Sequence, residues 1–170
     1  MLKVCGDRAV QKAYWSVLIV LALGLELAAL YYQYVLDELP CVVCIQVRLW
    51  LMALLAVSIV ALLIKKSTLI VALMHAMVSV IMLAMLDRSW LLLGIERGTI
   101  FGSCDMDLGL PGWLAVEQWA PFIFAVKTAC GYTPELFLGI TMAEALLVFS
   151  AALLLLSLIM LSSVLFSYKK

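Results

Sequence analysis

Apolar runs long enough to cross a bilayer dominate the chain, and polar breaks divide them into four. The runs cover roughly Ala13 to Leu36, Val42 to Ile64, Thr68 to Leu86 and Met142 to Phe166. A helix needs about 20 apolar residues to span the hydrocarbon core, where no water satisfies backbone N–H and C=O groups. Each run therefore predicts a membrane-spanning helix. Two of the breaks are tight: Asp37-Glu38-Leu39-Pro40 and the turn at Lys65-Lys66-Ser67, which makes the second and third helices antiparallel neighbours. Pro40 cannot continue a helix and biases Leu39 away from helical geometry, so the second helix starts at or just after Pro40. The third break, Asp87 to Ile140, is long and carries turn signals at Gly94, Gly98, Gly102, Gly109, Pro111-Gly112, Gly131 and Pro134. Within it, Trp113 to Ala120 predicts a short helix with Trp113, Val116 and Trp119 on one side and Glu117 and Gln118 away from them. That side either lies flat at the bilayer interface, which favours tryptophan, or packs on the bundle. The expected fold is an all-α membrane protein, one domain over residues 1–170: a four-transmembrane-helix bundle with a short interfacial helix in its second outer loop.

Composition removes the soluble alternative. The chain is 67% hydrophobic and 13% charged, with a mean hydropathy of +1.19, against about 45–50% apolar and about 25% charged in soluble domains. The net charge of zero conceals an asymmetry. Lys3, Arg8 and Lys12 precede the first span, Lys65 and Lys66 join the second to the third, and Lys169 and Lys170 end the chain. With four spans these segments share one side, which the positive-inside rule makes cytoplasmic. The first apolar run exceeds the usual 7–15 residues of a signal-peptide core and no small-residue cleavage site follows it. It is expected to stay as an anchor.

That topology partitions the cysteines. Cys41, Cys44, Cys104 and Cys130 fall outside and Cys5 alone inside, in keeping with disulfides persisting in the periplasm and not in the cytosol. Cys41 and Cys44 form a CxxC pair at a helix start, the geometry of a disulfide that opens and closes. A helix N-terminus carries about half a positive charge and favours a thiolate. Set at the water–lipid boundary, the pair lets thiol chemistry in water meet an oxidant dissolved in lipid. Arg48, four residues beyond Cys44, projects from the same helix face. An arginine within a span is costly and is usually functional or paired; the competing reading is a side chain that snorkels to water. Cys104 and Cys130 lie in the long loop, either as a structural staple or as a second redox pair; Asp105 and Asp107 disfavour a thiolate at Cys104, whereas Lys127 would favour one at Cys130 if the segment between them is helical. The wide spacing of the loop pair and the membrane setting of the CxxC argue against zinc, and no metal is expected. Glu26, mid-span, must be protonated, paired or facing a polar gap, and a packing or hydrogen-bond role is favoured over catalysis. His75, in the cytoplasmic half of its span, is expected to be a satisfied core histidine, and Cys5 a passive thiol.

Several motifs together are more specific than any one. They are Glu26, the segment Leu39-Pro40-Cys41-Val42-Val43-Cys44-Ile45, Arg48, Cys104-Asp105, Pro111-Gly112-Trp113-Leu114 with Trp119 and Pro121, and Phe137-Leu138-Gly139 before the last span. In this combination the chain resembles the DsbB family over nearly its whole length. The resemblance implies an inner-membrane, quinone-dependent protein-disulfide oxidoreductase. Cys104 would form a mixed disulfide with a reduced periplasmic DsbA-like thioredoxin-fold protein, and electrons would pass from the Cys104–Cys130 pair to Cys41–Cys44. Cys44 and Arg48 would then face bound ubiquinone or menaquinone, as in the system that keeps the bacterial periplasm oxidising. The partners implied are that soluble protein, the quinone pool and the bilayer, with no nucleic acid. One departure is visible: where members of the family can carry a histidine near the quinone, this chain has Leu91. The vitamin K epoxide reductase-like family also joins four helices, quinone and two cysteine pairs. There the CxxC sits in a late helix after the loop pair, the reverse of the order here. A non-enzymatic membrane adaptor with structural disulfides would leave Arg48 beside the CxxC unexplained.

Overall fold

The computed structural model describes residues 8–64, 67–100, 108–111, 115–128, 133–137 and 139–168. Its elements are α1 (Arg8–Tyr34), α2 (Val42–Leu63), α3 (Thr68–Glu96), α4 (Val116–Trp119), α5 (Pro121–Phe124), β1 (Glu135–Phe137), β2 (Ile140–Thr141) and α6 (Met142–Tyr168). The helices α1, α2, α3 and α6 each contain a stretch long and apolar enough to cross a membrane. Their outward faces carry large apolar side chains such as Leu27, Leu63, Val80 and Val148, as expected where lipid, not water, is the surrounding medium. Together with the family assignment below, this makes the chain a multi-pass membrane protein.

The bundle is strung in the order α1–α2–α3–α6, with α3 against α6, α1 against α2 and α2 against α3. Its main core gathers Trp15 and Leu18 of α1, Leu51 and Leu54 of α2, and Met82 and Met85 of α3. At the far end from Cys41, His75 is fully buried, stacks on Trp15 at 4.8 Å and meets the Gln11 side chain at 3.2 Å. It is the core histidine that its position suggested.

Two helix ends differ from, or sharpen, the expectation. The third helix does not stop near Leu86 but runs on to Glu96. The Asp87-Arg88 pair, 3.2 Å apart, and buried Ser89 are carried within it. Its stop lies further on: Gly98 takes φ +67, its N–H bonds to Ile95 O, and the Thr99 N–H bonds to Gly94 O. This is a Schellman ending, which needs a residue able to adopt a left-handed conformation. Gly94 is therefore a helical residue and not a turn; a Cβ there would lie 2.3 Å from Ile100 Cδ1, so its hydrogen is what lets Ile100 fold back. The start of α6 is set by a capping box, in which Thr141 Oγ1 accepts the Glu144 N–H at 3.4 Å and Glu144 Oε2 accepts the Thr141 N–H at 3.3 Å. Glu144 also accepts a bond from Arg97 at 2.6 Å, which ties the end of α3 to the start of α6.

The segment between α3 and α6 differs from expectation as well. Trp113 and Leu114 lie outside the described residues, and the helix expected over Trp113 to Ala120 is observed as α4, a single turn, followed directly by α5. Pro121 opens α5, where its missing N–H costs nothing. Val116 and Trp119 do not share an environment: Val116 packs against the cluster of Val42, Ile45, Leu108 and Phe124, whereas Trp119 is 66% exposed. The small antiparallel hairpin β1–β2, turning at Gly139, was not foreseen.

Candidate functional site

Pro40 stops the chain from entering α2 early, and Cys41 then serves as the N-cap of the helix instead of its first residue. Its sulfur accepts the backbone N–H of Cys44 at 3.3 Å, and the two sulfurs stand 2.7 Å apart. The pair thus sits at a helix N-terminus, where first-turn backbone N–H groups and the helix dipole gather positive potential. Cys41 is buried and Cys44 half-buried. Leu91 and Cys44 both pack against the cluster that holds Cys41, Val43 and Leu92.

Arg48 does not snorkel. It is 5% exposed and spends its guanidinium on three acceptors: Gln33 Oε1 at 2.5 Å, Ala29 O at 2.9 Å and Ile123 O at 2.9 Å. Two of these are on α1 and the third is in α5, so one side chain joins α1, α2 and the segment between α3 and α6. Its Nε has no hydrogen-bond partner among the described residues. The loop is held by further bonds from α1, since Gln33 Nε2 (3.4 Å) and the Tyr34 hydroxyl both donate to Phe122 O. Gln46 donates to Leu108 O at 3.1 Å and accepts from Arg88 at 3.4 Å.

A cavity of about 510 Å³ opens between α1, α2 and the first turns of α6. Cys44 and Arg48 stand on one wall, with Ala29 and Gln33 of α1 beside them and Leu146 and Phe149 of α6 opposite. Apart from this cluster its walls are mainly apolar, so it can take a ring-shaped, lipid-soluble ligand and offer it one cation and one sulfur.

Cys104 and Cys130 lie outside the described residues, as does Cys5. The chain shortly before Cys130 is nonetheless tied to the start of α2: the Lys127 N–H donates to Pro40 O at 3.0 Å, and Thr128 pairs with Cys41 in a parallel bridge. Thr128 is two residues before Cys130. The structure therefore brings Cys41, Cys44 and Arg48 together, as their spacing suggested. It adds Gln33, Ala29, Ile123 and Thr128, none of which was singled out from the sequence, and gives Lys127 a backbone bond to Pro40 besides its charge. Glu26 and Gln33, at i and i+7 on one face of an otherwise apolar span, were the available signal for Gln33; Ala29 accepts through its backbone oxygen and leaves none.

The family model for disulfide bond formation protein DsbB matches residues 11–160. Disulfide bond formation protein B of Photorhabdus laumondii subsp. laumondii is 31% identical over 162 residues, covering 93% of this chain and 94% of the relative. The protein of that name from Shewanella sp. (strain ANA-3) is 32% identical over 145 residues, covering 81% of this chain and 79% of the relative. The one from Escherichia coli (strain K12) is 29% identical over 171 residues, covering 100% and 97% respectively. With its CxxC helix start and four membrane helices, the chain belongs to the DsbB family of disulfide bond formation proteins.

Proposed function

We propose that the protein is a quinone-dependent thiol oxidase of the bacterial inner membrane, which reoxidises a periplasmic DsbA-like dithiol protein and delivers the electrons to membrane quinone. The observation that carries this reading is the cavity that Cys44 and Arg48 line together. Its volume of about 510 Å³ lies in the range of about 300–1,000 Å³ usual for small-molecule sites. The donor set fits a quinone: the unspent Nε–H of Arg48 suits a carbonyl oxygen, and the apolar walls suit a ring on a lipid tail. When bound, quinone supplies an acceptor for two electrons and two protons.

The residues of the chain would do the rest. A thiolate of the partner opens the Cys104–Cys130 disulfide, forming a mixed disulfide at Cys104 and releasing Cys130. The pairing of Thr128 with Cys41 supports Cys41 as the sulfur that Cys130 then attacks, because two residues of chain reach at most about 7 Å. Cys44 leaves as a thiolate, at the helix start and on the same wall as Arg48, where both favour its negative charge. Arg48 is also placed to stabilise negative charge developing on an acceptor in the cavity. The partner's second thiolate resolves the mixed disulfide and frees Cys104, which attacks Cys130, restores the Cys104–Cys130 disulfide and releases Cys41 as a thiol. Closure of the Cys41–Cys44 disulfide would then hand over the two electrons and two protons that the partner's dithiol has lost, and quinone, when bound, would accept them.

The distribution of lysine and arginine supports cytoplasmic termini and a periplasmic outer loop. The reading is tested by supplying purified protein and a reduced DsbA-like partner with ubiquinone and menaquinone in turn. Partner oxidation should require one of them and match its reduction mole for mole. Partner oxidation independent of both, or none with either, would overturn the reading.

A further inference from the structure

Glu26 is buried in the span of α1, 8% exposed, and neither of its carboxyl oxygens has a hydrogen-bond partner among the described residues. Such a group within a membrane is costly unless its charge is balanced or its proton retained. Its position supplies a counter-charge. Ala29 and Gln33, three and seven residues on, share its helix face, and both accept hydrogen bonds from Arg48. Glu26 and Arg48 act on each other electrostatically; the other groups that act on Arg48 are Cys44, Tyr34 and Cys41. The neighbours of Glu26 along α1, Leu25 and Ala28, line the cavity that Cys44 and Arg48 also line.

A fixed salt bridge would look different. Both terminal nitrogens of Arg48 are spent on neutral acceptors, Gln33, Ala29 O and Ile123 O, and no bond joins the guanidinium to Glu26. The carboxyl is close enough to feel the cation and is not tied to it. It can therefore change protonation state without breaking a bond.

We infer that Glu26 is the exchangeable counter-charge of Arg48, ionised while no other anion adjoins the guanidinium and protonated when Cys44 becomes a thiolate. The inference rests on the role given above to Cys44 and Arg48. The balance is simple when a soluble dithiol reduces the Cys41–Cys44 disulfide. The reductant yields two electrons and two protons and becomes a disulfide; Cys41 keeps one proton as a thiol, and Glu26 takes the other while Cys44 remains a thiolate. The Arg48 site holds one negative charge before and after, which avoids adding an unbalanced charge to a poorly solvated place. Glu26 is in this sense a positioning residue that acts through Arg48.

The test needs neither quinone nor partner protein. Infrared difference spectra would be recorded on the full chain, stripped of quinone, before and after reduction by a soluble dithiol. A carbonyl band of a protonated carboxylic acid should appear on reduction and be lost in Glu26→Gln. Glu26→Asp should keep the band at a shifted frequency, and this variant serves if the Gln protein does not fold. In Arg48→Met the band should not change on reduction, because no cation is left to share. Thiolate absorbance of the reduced protein should be higher in Glu26→Gln than in wild type at the same pH, since the competing negative charge is gone. A band that persists in Glu26→Gln, or its absence from wild type together with equal thiolate absorbance in both, would overturn the inference. Quinone reduction by the wild type separates the two levels: a protein that reduces quinone but lacks the Glu26 signature overturns this inference alone. A protein that reduces no quinone overturns the functional reading beneath it.

Discussion

Arg48 combines two tasks that oppose each other. Its three hydrogen bonds hold α1, α2 and α5 together, while its charge faces the cavity beside Cys44. An arginine exposed near the interface would let water replace part of its charge on mutation. A 5% exposed one would not. Removing a charged donor aimed at developing charge in a dry site costs about a hundred- to a thousandfold in rate, and Arg48→Met should fall in that range for quinone reduction with partner in excess. Arg48→Lys should be intermediate, since a lysine keeps the charge but cannot span Gln33, Ala29 and Ile123 with one planar fork. Unchanged rate and quinone affinity in Arg48→Met would move the quinone site elsewhere. Cys41, Cys44 and Arg48 were legible in the sequence because their relations are local, at i+3 and i+4 of one helix. The acceptors of Arg48 were not, because they lie 15, 19 and 75 residues away and only tertiary packing brings them in.

Helix ends show the same division between local and distant signals. Hydropathy marked α1, α2 and α6 within a few residues of their membrane portions, yet ended α3 about ten residues early, at Asp87. A hydropathy profile reports the medium that a helix crosses, whereas capping groups report where its backbone stops. For α3 the stop is Gly98. For α6 the start is Thr141 with Glu144, a local Thr-x-x-Glu pattern that hydropathy alone passes over. Thr141→Ala should cost about 1 kcal/mol of stability, the usual effect of losing an N-cap oxygen. Unfolding by denaturant in detergent would measure it. Glu144→Gln keeps the capping geometry and weakens the tie to Arg97, so it should cost less; a larger loss than in Thr141→Ala would mean that the α3–α6 tie outweighs the cap.

At the scale of the molecule, the bundle joins two kinds of chemistry. The segment between α3 and α6 is fastened to the N-terminal end of α2 by bonds to Pro40, Cys41 and Gln46, and beside that end the cavity opens between α1 and α6. Topology is the first requirement of a relay from water to lipid. Impermeant thiol labelling of reduced intact spheroplasts should mark Cys104 and spare Cys5; the reverse pattern would invert the bundle. The relay itself is tested most directly by separating capture from delivery. Purified wild type, Cys104→Ser and Cys44→Ser would each be mixed anaerobically with reduced partner and quinone. Mixed disulfide and quinone absorbance would be followed together. Wild type should consume quinone, Cys104→Ser should neither capture partner nor consume quinone, and Cys44→Ser should capture partner and leave quinone untouched. Loss of capture in Cys44→Ser as complete as in Cys104→Ser, or quinone consumption by Cys44→Ser at the wild-type rate, would contradict a two-stage path ending at Cys44.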